Sequence, residues 1–278
     1  MSGPRIGLAL GGGSARGLAH IPMLEAFDEL GIKPAIIAGC SIGALIGAGY
    51  ASGMSALEIR ALAEKLLDTR FAAARYVFGA KRARIRDLLA LRGLGSLHIK
   101  GEKLVDLALP DELPKNIEDT KIPFRVVTTD YDRMEERVID SGNMVKAVAA
   151  SLAVPGIITG PRYDGRVHVD GGVTNPVPFN HVREHCDIVV AIDVTGRPRP
   201  AKRAHHSNLE LAVGSLLIMF HQVAELRRAL APPDIYIEPA VENFRGADFF
   251  KAKEMFEAAK PAKERLKREL EKRISRIA

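Results

Sequence analysis

Apolar positions along the chain fall into short blocks that alternate between two periods. Arg5 to Leu10 reads as a buried strand, and Pro34 to Ala38 as a second. Between them, Leu18, Ile21, Leu24, Ala26 and Leu30 recur close to helical spacing, and Gly31 ends that helix. Ile42 to Ala51 is a helix of small residues. Ser55-x-x-Glu58 is a capping box that opens another helix running through Leu67. Strand character resumes over Lys121 to Thr129, with Glu136 to Asp140 placed to pair with it. Asn143 caps a predicted helix over Met144 to Ser151. Further along come a strand or hairpin at Arg162 to Val169 and a short helix at Phe179 to His185. They are followed by a β-branched strand at Ile188 to Val194, an amphipathic helix at Leu209 to Leu230 and a last strand at Asp234 to Glu238. The remainder from Asp248 is helical and highly charged. Strands alternating with helices predict an α/β fold with a mainly parallel sheet. No repeat or long linker divides it, so residues 1–278 are expected to form one domain.

Composition narrows the functions. Among 278 residues there is no Trp and aromatics make up 5%, which disfavours base-stacking platforms and hence nucleic acid. The net charge of +6 suits an anionic surface. Much of the excess lies in two stretches. Residues 70–103 hold nine Lys or Arg against two acids, and glycines break the helical pattern there. This stretch reads as an excursion from the sheet that covers a site. Residues 260–278 hold eight Lys or Arg against three acids, with Leu266, Leu270, Ile274 and Ile277 on one stripe. That stripe suits a helix packed on the domain or a partner subunit, or an interfacial helix on anionic membrane. Two cysteines, Cys40 and Cys186, argue against a disulfide framework and fit a reducing compartment. The N-terminal residues do not have the pattern of a signal peptide, and no run of eighteen uncharged apolar residues exists. A cytoplasmic protein is expected, with peripheral contact at the inner face of the membrane.

The chemistry starts at Gly39-x-Ser41-x-Gly43. A strand entering a helix through such a turn lifts a serine hydroxyl to a strained, exposed apex. A second turn, Gly11-Gly12-Gly13-Ser14-Ala15-Arg16-Gly17, also joins strand to helix. It fails as a dinucleotide fingerprint: Arg16 stands where a third glycine is needed, and no acid follows the second strand. It has no Gly-Lys-Ser/Thr and is not a P-loop. It suits an oxyanion hole, since amides at a helix N-terminus can face a developing negative charge; a plain tight turn is the alternative. The serine needs a base. A Ser-Asp-His order can be drawn from Ser41, Asp170 or Asp193, and His205, His206 or His221. Against it, Ser41 follows only one earlier strand, and the histidines lie in a polar loop or mid-helix. His20 reads as packed within the first helix. Asp170, before Gly171 and Gly172, can approach a backbone closely and serve as base without an imidazole; it also reads as an ordinary turn.

Taken together, four blocks resemble the patatin-like phospholipase family. They are the glycine loop running into Ala15-Arg16-Gly17-Leu18-Ala19-His20, Gly39-Cys40-Ser41-Ile42-Gly43, Ala150 to Gly156, and Asp170-Gly171-Gly172 with Asn175-Pro176. The resemblance covers about residues 5–259. It implies a three-layer α/β/α sandwich and a Ser41–Asp170 dyad that hydrolyses phospholipid or lysophospholipid esters through an acyl-enzyme, without metal or other cofactor. It implies an oxyanion hole from Gly12, Gly13 and Ser14, with Gly11, Arg16, Gly17, Gly39, Gly43, Gly171 and Gly172 supporting the motifs. One departure stands out: Ser14 replaces the glycine that usually precedes Ala-Arg-Gly. Arg16 is expected to anchor the loop and Cys40 to fill space. An acyltransferase and a non-catalytic lipid-binding protein are the rival readings. An oligomer is compatible with all of them.

Overall fold

A computed structural model describes residues 3–68, 99–184, 186–196 and 208–277. Among the described residues ten strands are formed: β1 (Ile6–Leu10), β2 (Ile36–Cys40), β3 (Ile99–Lys100), β4 (Phe124–Asp130), β5 (Glu135–Ile139), β6 (Ile158–Thr159), β7 (Arg162–Tyr163), β8 (Arg166–Asp170), β9 (Ile188–Ile192) and β10 (Ile235–Ile237). The helices are α1 (His20–Glu29), α2 (Ile42–Ala51), α3 (Ala56–Asp68), α4 (Gly101–Ala108), α5 (Met144–Ser151), α6 (Asn180–Arg183), α7 (Asn208–Leu230) and α8 (Ala252–Ile277).

Eight strands make the main sheet, in the order β10-β9-β1-β2-β4-β8-β7, with β5 also on β4. The five strands from β10 to β4 are parallel, while β5 and β8 run antiparallel to β4. Parallel neighbours need crossovers, and the helices between them supply these. Alternation along the strands separates two apolar layers. Leu8, Leu10, Ile37, Val190 and Ile192 point to one side, packed with α1, α2, α5 and α8. Ala9, Ala38, Val189 and Ala191 point to the other, against Val182 of α6 and Ala224 of α7. The result is the expected three-layer arrangement.

One detail of the sheet creates the site. β2 pairs with the first half of β4 and stops with Cys40 opposite Val127. β8 approaches from the opposite direction and stops with Asp170 opposite Thr128. The two strands therefore meet end to end over the middle of β4. Ser41 and Asp170, 129 residues apart, are brought together by backbone register alone.

Local signals held up well. Ser55 and Glu58 form the reciprocal capping box, with Glu58 N donating to Ser55 Oγ and Ser55 N to Glu58 Oε2. Asn143 Oδ1 accepts from Lys146 N. One reading is corrected and one alternative is decided. Helix α4 lies partly inside the stretch read as an irregular excursion; its Leu104, Val105, Leu107 and Leu109 carry a helical pattern that Gly101 and the charges obscured. Most of that excursion, 70–98, lies outside the described residues. The C-terminal stripe is a packing face: Leu266 and Leu270 are fully buried, and Lys263 and Lys267 pair with Glu25 and Glu29 of α1. Its inner side is thus unavailable to a membrane.

Candidate active site

Ser41 follows β2 directly and caps α2. Its backbone stands at φ 53, ψ −124, a strained conformation for a residue with a side chain, and one that aims Oγ away from the sheet. The strain is held by close packing below. A Cβ on Gly43 would lie 2.2 Å from the Leu10 carbonyl, so only glycine lets α2 cross β1 there. Gly17, Gly39, Gly171 and Gly172 are close-approach positions of the same kind, with a Cβ at each falling within 2.6 Å of a neighbour.

Ser41 Oγ donates to Asp170 Oδ2 at 2.6 Å. The other carboxylate oxygen, Oδ1, accepts from Gly172 N at 2.8 Å. Both groups are buried, Asp170 completely. Burial pushes the Asp170 pKa up to about 6, against the lowering effect of the bonds from Ser41 and Gly172. Cys40 Sγ sits 4.0 Å from Asp170 Oδ1. Burial, and then the Asp170 charge, raises its pKa well above the ordinary thiol value, so it stays protonated.

No histidine among the described residues lines the cavity at Ser41. His20 is buried, with Nε2 at 2.7 Å from the Gly11 carbonyl and its pKa pushed down to about 4 by burial. Asp193 is occupied elsewhere, accepting from Tyr236 Oη and Thr195 N. His221 lines a separate cleft beside it. His205 and His206 lie outside the described residues.

The glycine loop is tied down on several sides. Gly11 N donates to Ile192 O, Gly12 N to Pro176 O and Ala15 N to Gly246 O. Arg16 Nε donates to Val194 O, and Arg16 N to Gly13 O. Arg16 is buried and anchors the loop, as the sequence suggested. The Gly12 amide is committed to Pro176, which removes it from the expected oxyanion set. Gly13 and Ser14 have no backbone acceptor for their amides among the described residues, and both line the cavity with Ser41. Ser14 stands at φ 53, a conformation suited to the glycine it replaces.

A family model, described as patatin-like phospholipase, matches residues 8–183, more than half of the chain. The chain belongs to this family. Its relatives include an uncharacterized NTE family protein of Mycobacterium bovis. That protein is 32% identical over 201 residues, covering 70% of this patatin-like chain and 50% of the relative. Lysophospholipase NTE1 of Pyricularia oryzae is 25% identical over 273 residues, covering 90% of the chain and 17% of the relative. The chain thus spans half or less of the length of these relatives. The fold is shared with the ExoU–SpcU complex of the Pseudomonas aeruginosa type III secretion system, at a TM-score of 0.50 and 16% identity, covering 98% of this chain and 52% of that one.

Within this patatin-like site, one residue of the Ala150 to Gly156 block has a role that the reading of the chain did not assign. Ser151, at the end of α5, accepts from Ser41 N at 2.8 Å and donates to Val127 O at 2.6 Å. It pins the serine turn to β4. The available signal was a lone hydroxyl closing an otherwise apolar, buried helix face. Beside the dyad, a groove of about 330 Å³ runs between α2, α3 and α4, lined by Ile42, Ile46, Ala63, Leu66, Leu107 and other apolar residues. Among the described residues no helix is long and apolar enough to cross a membrane.

Proposed function

We propose that this chain is a serine acyl hydrolase acting on carboxylic esters of phospholipids or lysophospholipids. The observation that carries the reading is the direct 2.6 Å bond from Ser41 Oγ to Asp170 Oδ2, in a cavity that no described histidine lines. Ser41 Oγ attacks the ester carbonyl as its proton passes to Asp170. The Gly13 and Ser14 amides receive the negative charge that develops on the carbonyl oxygen. Asp170 then gives the proton to the leaving alcohol, and an acyl-enzyme remains. Water, deprotonated by Asp170, releases the fatty acid and restores Ser41. A carboxylate in water is a poor base. Burial raises the pKa of this one to about 6, nearer the range where proton transfer at neutral pH is efficient. The apolar groove next to Ile42 suits an acyl chain, and the relative named a lysophospholipase agrees with the substrate class.

The pH dependence follows. Asp170 must be ionised to accept the serine proton, so kcat/KM is expected to rise from acid to neutral pH with a midpoint near pH 6. A midpoint near pH 4, measured on a soluble chromogenic ester, would show that burial does not set the base.

An acyltransferase shares the first half of this path. The two readings, and the non-catalytic one, part in a single experiment. The protein is treated with a biotinylated fluorophosphonate and mapped by mass spectrometry. It is separately given lysophosphatidylcholine with and without glycerol and a thiol. An adduct on Ser41 and free fatty acid undiminished by the acceptors are expected. An adduct elsewhere removes the nucleophile, dominant acyl transfer favours the acyltransferase, and neither label nor turnover favours a binding protein.

A further inference from the structure

Helix α7 roofs the nucleophile. Its inner residues Val213, Leu216, Leu217 and Phe220 close the cavity that contains Ser41 and Asp170. The space left is about 30 Å³, far less than the groove of about 330 Å³ beside it. A long acyl chain has no room beside Ser41 while the roof stays where it is, whereas a short soluble ester needs only small fluctuations of the helix.

The outer side of the same helix is unusual. A helix that covers a core on one side normally turns charge toward water on the other. Between Leu211 and Leu230, no exposed position of α7 carries a charge. Leu211, Ile218, Met219, Leu226 and Leu230 are between 46% and 77% exposed and lie along one side. The charged residues of the last turns lie at the flanks, where Arg227 pairs with Glu136 and Arg228 with Glu225 and Glu238. An exposed apolar stripe of this kind marks an interaction surface. The chain reads as amphipathic here, yet the helix is apolar on both sides.

We propose that the outer face of α7 docks on the surface of a lipid aggregate, and that seating there draws the helix off Ser41. The inference rests on the reading of Ser41 as a lipid-ester nucleophile. Three observations select lipid over a protein partner. The buried face of the helix seals the one cavity that holds the dyad. The outer face offers a mostly apolar area whose exposed polar side chains, Ser215 and Gln222, are uncharged, which suits an interfacial helix. The chain as a whole carries +6, which complements an anionic phospholipid surface. The basic C-terminal helix, an earlier candidate for this contact, has Leu266 and Leu270 of its apolar stripe already buried against the domain.

The absence of Trp from the chain makes a clean reporter available. The full chain carrying Met219→Trp is titrated with vesicles of phosphatidylcholine and phosphatidylglycerol. A blue shift of its emission is expected; no shift overturns the proposal. Ile218→Glu with Met219→Glu is expected to lower vesicle co-flotation and hydrolysis of vesicle phospholipid by tenfold or more. Hydrolysis of a monomeric short-chain ester should stay unchanged, since neither side chain lines the cavity. Vesicles should also raise the rate of fluorophosphonate labelling of the unsubstituted protein, and an unchanged rate would refute roof displacement. Equal flotation of both proteins overturns the docking face. A variant that turns a dimer into a monomer, with no vesicle binding by either protein, assigns the face to a second copy instead. If no ester is turned over but the blue shift and flotation difference remain, the catalytic reading has failed and the docking face stands.

Discussion

Asp170→Asn is expected to lower turnover of a soluble ester by roughly 10²–10⁴-fold, while making the protein more stable. The geometry gives both effects. In the wild type, Oδ1 accepts from Gly172 N and Oδ2 accepts from Ser41 Oγ. An asparagine keeps its oxygen toward Gly172 and turns its NH₂ toward the serine. The serine oxygen then receives a hydrogen bond where it formerly gave one, and nothing remains to take its proton. Ser41→Ala removes the attacking atom itself and should lose at least as much. Stability moves the other way. Asp170 has a folded pKa of about 6 against an ordinary value of 3.8. The folded state therefore holds the proton more tightly than the unfolded state. Its contribution is most favourable below pH 3.8, declines as pH rises through 6, and stays low above that. Two units correspond to about 3 kcal/mol, which is the approximate cost of an ionised carboxylate at this buried place at pH 7. The neutral asparagine avoids that cost, so a gain of up to about 3 kcal/mol is expected in guanidinium unfolding at neutral pH. An unchanged midpoint would contradict the buried-charge argument, and near-normal turnover would contradict the dyad.

Gly13→Ala is expected to lower kcat by roughly 10²–10³-fold with little change in KM. The added Cβ would stand 2.1 Å from the Val194 carbonyl. That carbonyl cannot yield easily, because it also accepts from Arg16 Nε. Arg16 N in turn holds the Gly13 carbonyl. The loop must swing as a unit, taking the Gly13 and Ser14 amides away from the position of the oxyanion. The dyad lies across the cavity on other elements and keeps its bond. Steady-state kinetics alongside circular dichroism separate this from unfolding. A folded variant with normal kcat would move the oxyanion site elsewhere.

These two positions also show what the chain discloses of itself. Ser41 and Asp170 were legible because each sits in a glycine-flanked turn at the end of a strand pattern, and such turns are read locally. Their meeting was not derivable from either turn. It depends on β2 and β8 sharing one edge of β4, a register set by two separate long-range strand pairings. The commitment of the Gly12 amide to Pro176 is hidden for the same reason, since it is a long-range bond. The role of Ser151, though it lies in a block that was noted, stayed hidden because a single hydroxyl in an apolar helix does not show which backbone groups it will bond. The C-terminal stripe showed its period but not its partner, and only the packing on α1 decides that it faces inward. Fold class survived these gaps because alternation of strand and helix is a statement about periods, and periods are local.

The arrangement of β1 and α1 sets the order of synthesis against the order of assembly. β1 is flanked by β9, and α1 is covered by α8, so residues 6–29 wait for partners at 188–192 and 252–277. At translation rates of about 5–20 residues per second, that interval is roughly 12–50 s. Throughout it, the native cover of the first strand and helix, begun by β2, α2 and α3, stays incomplete. The last packing of the fold thus falls on residues 6–29, among the earliest made of those described.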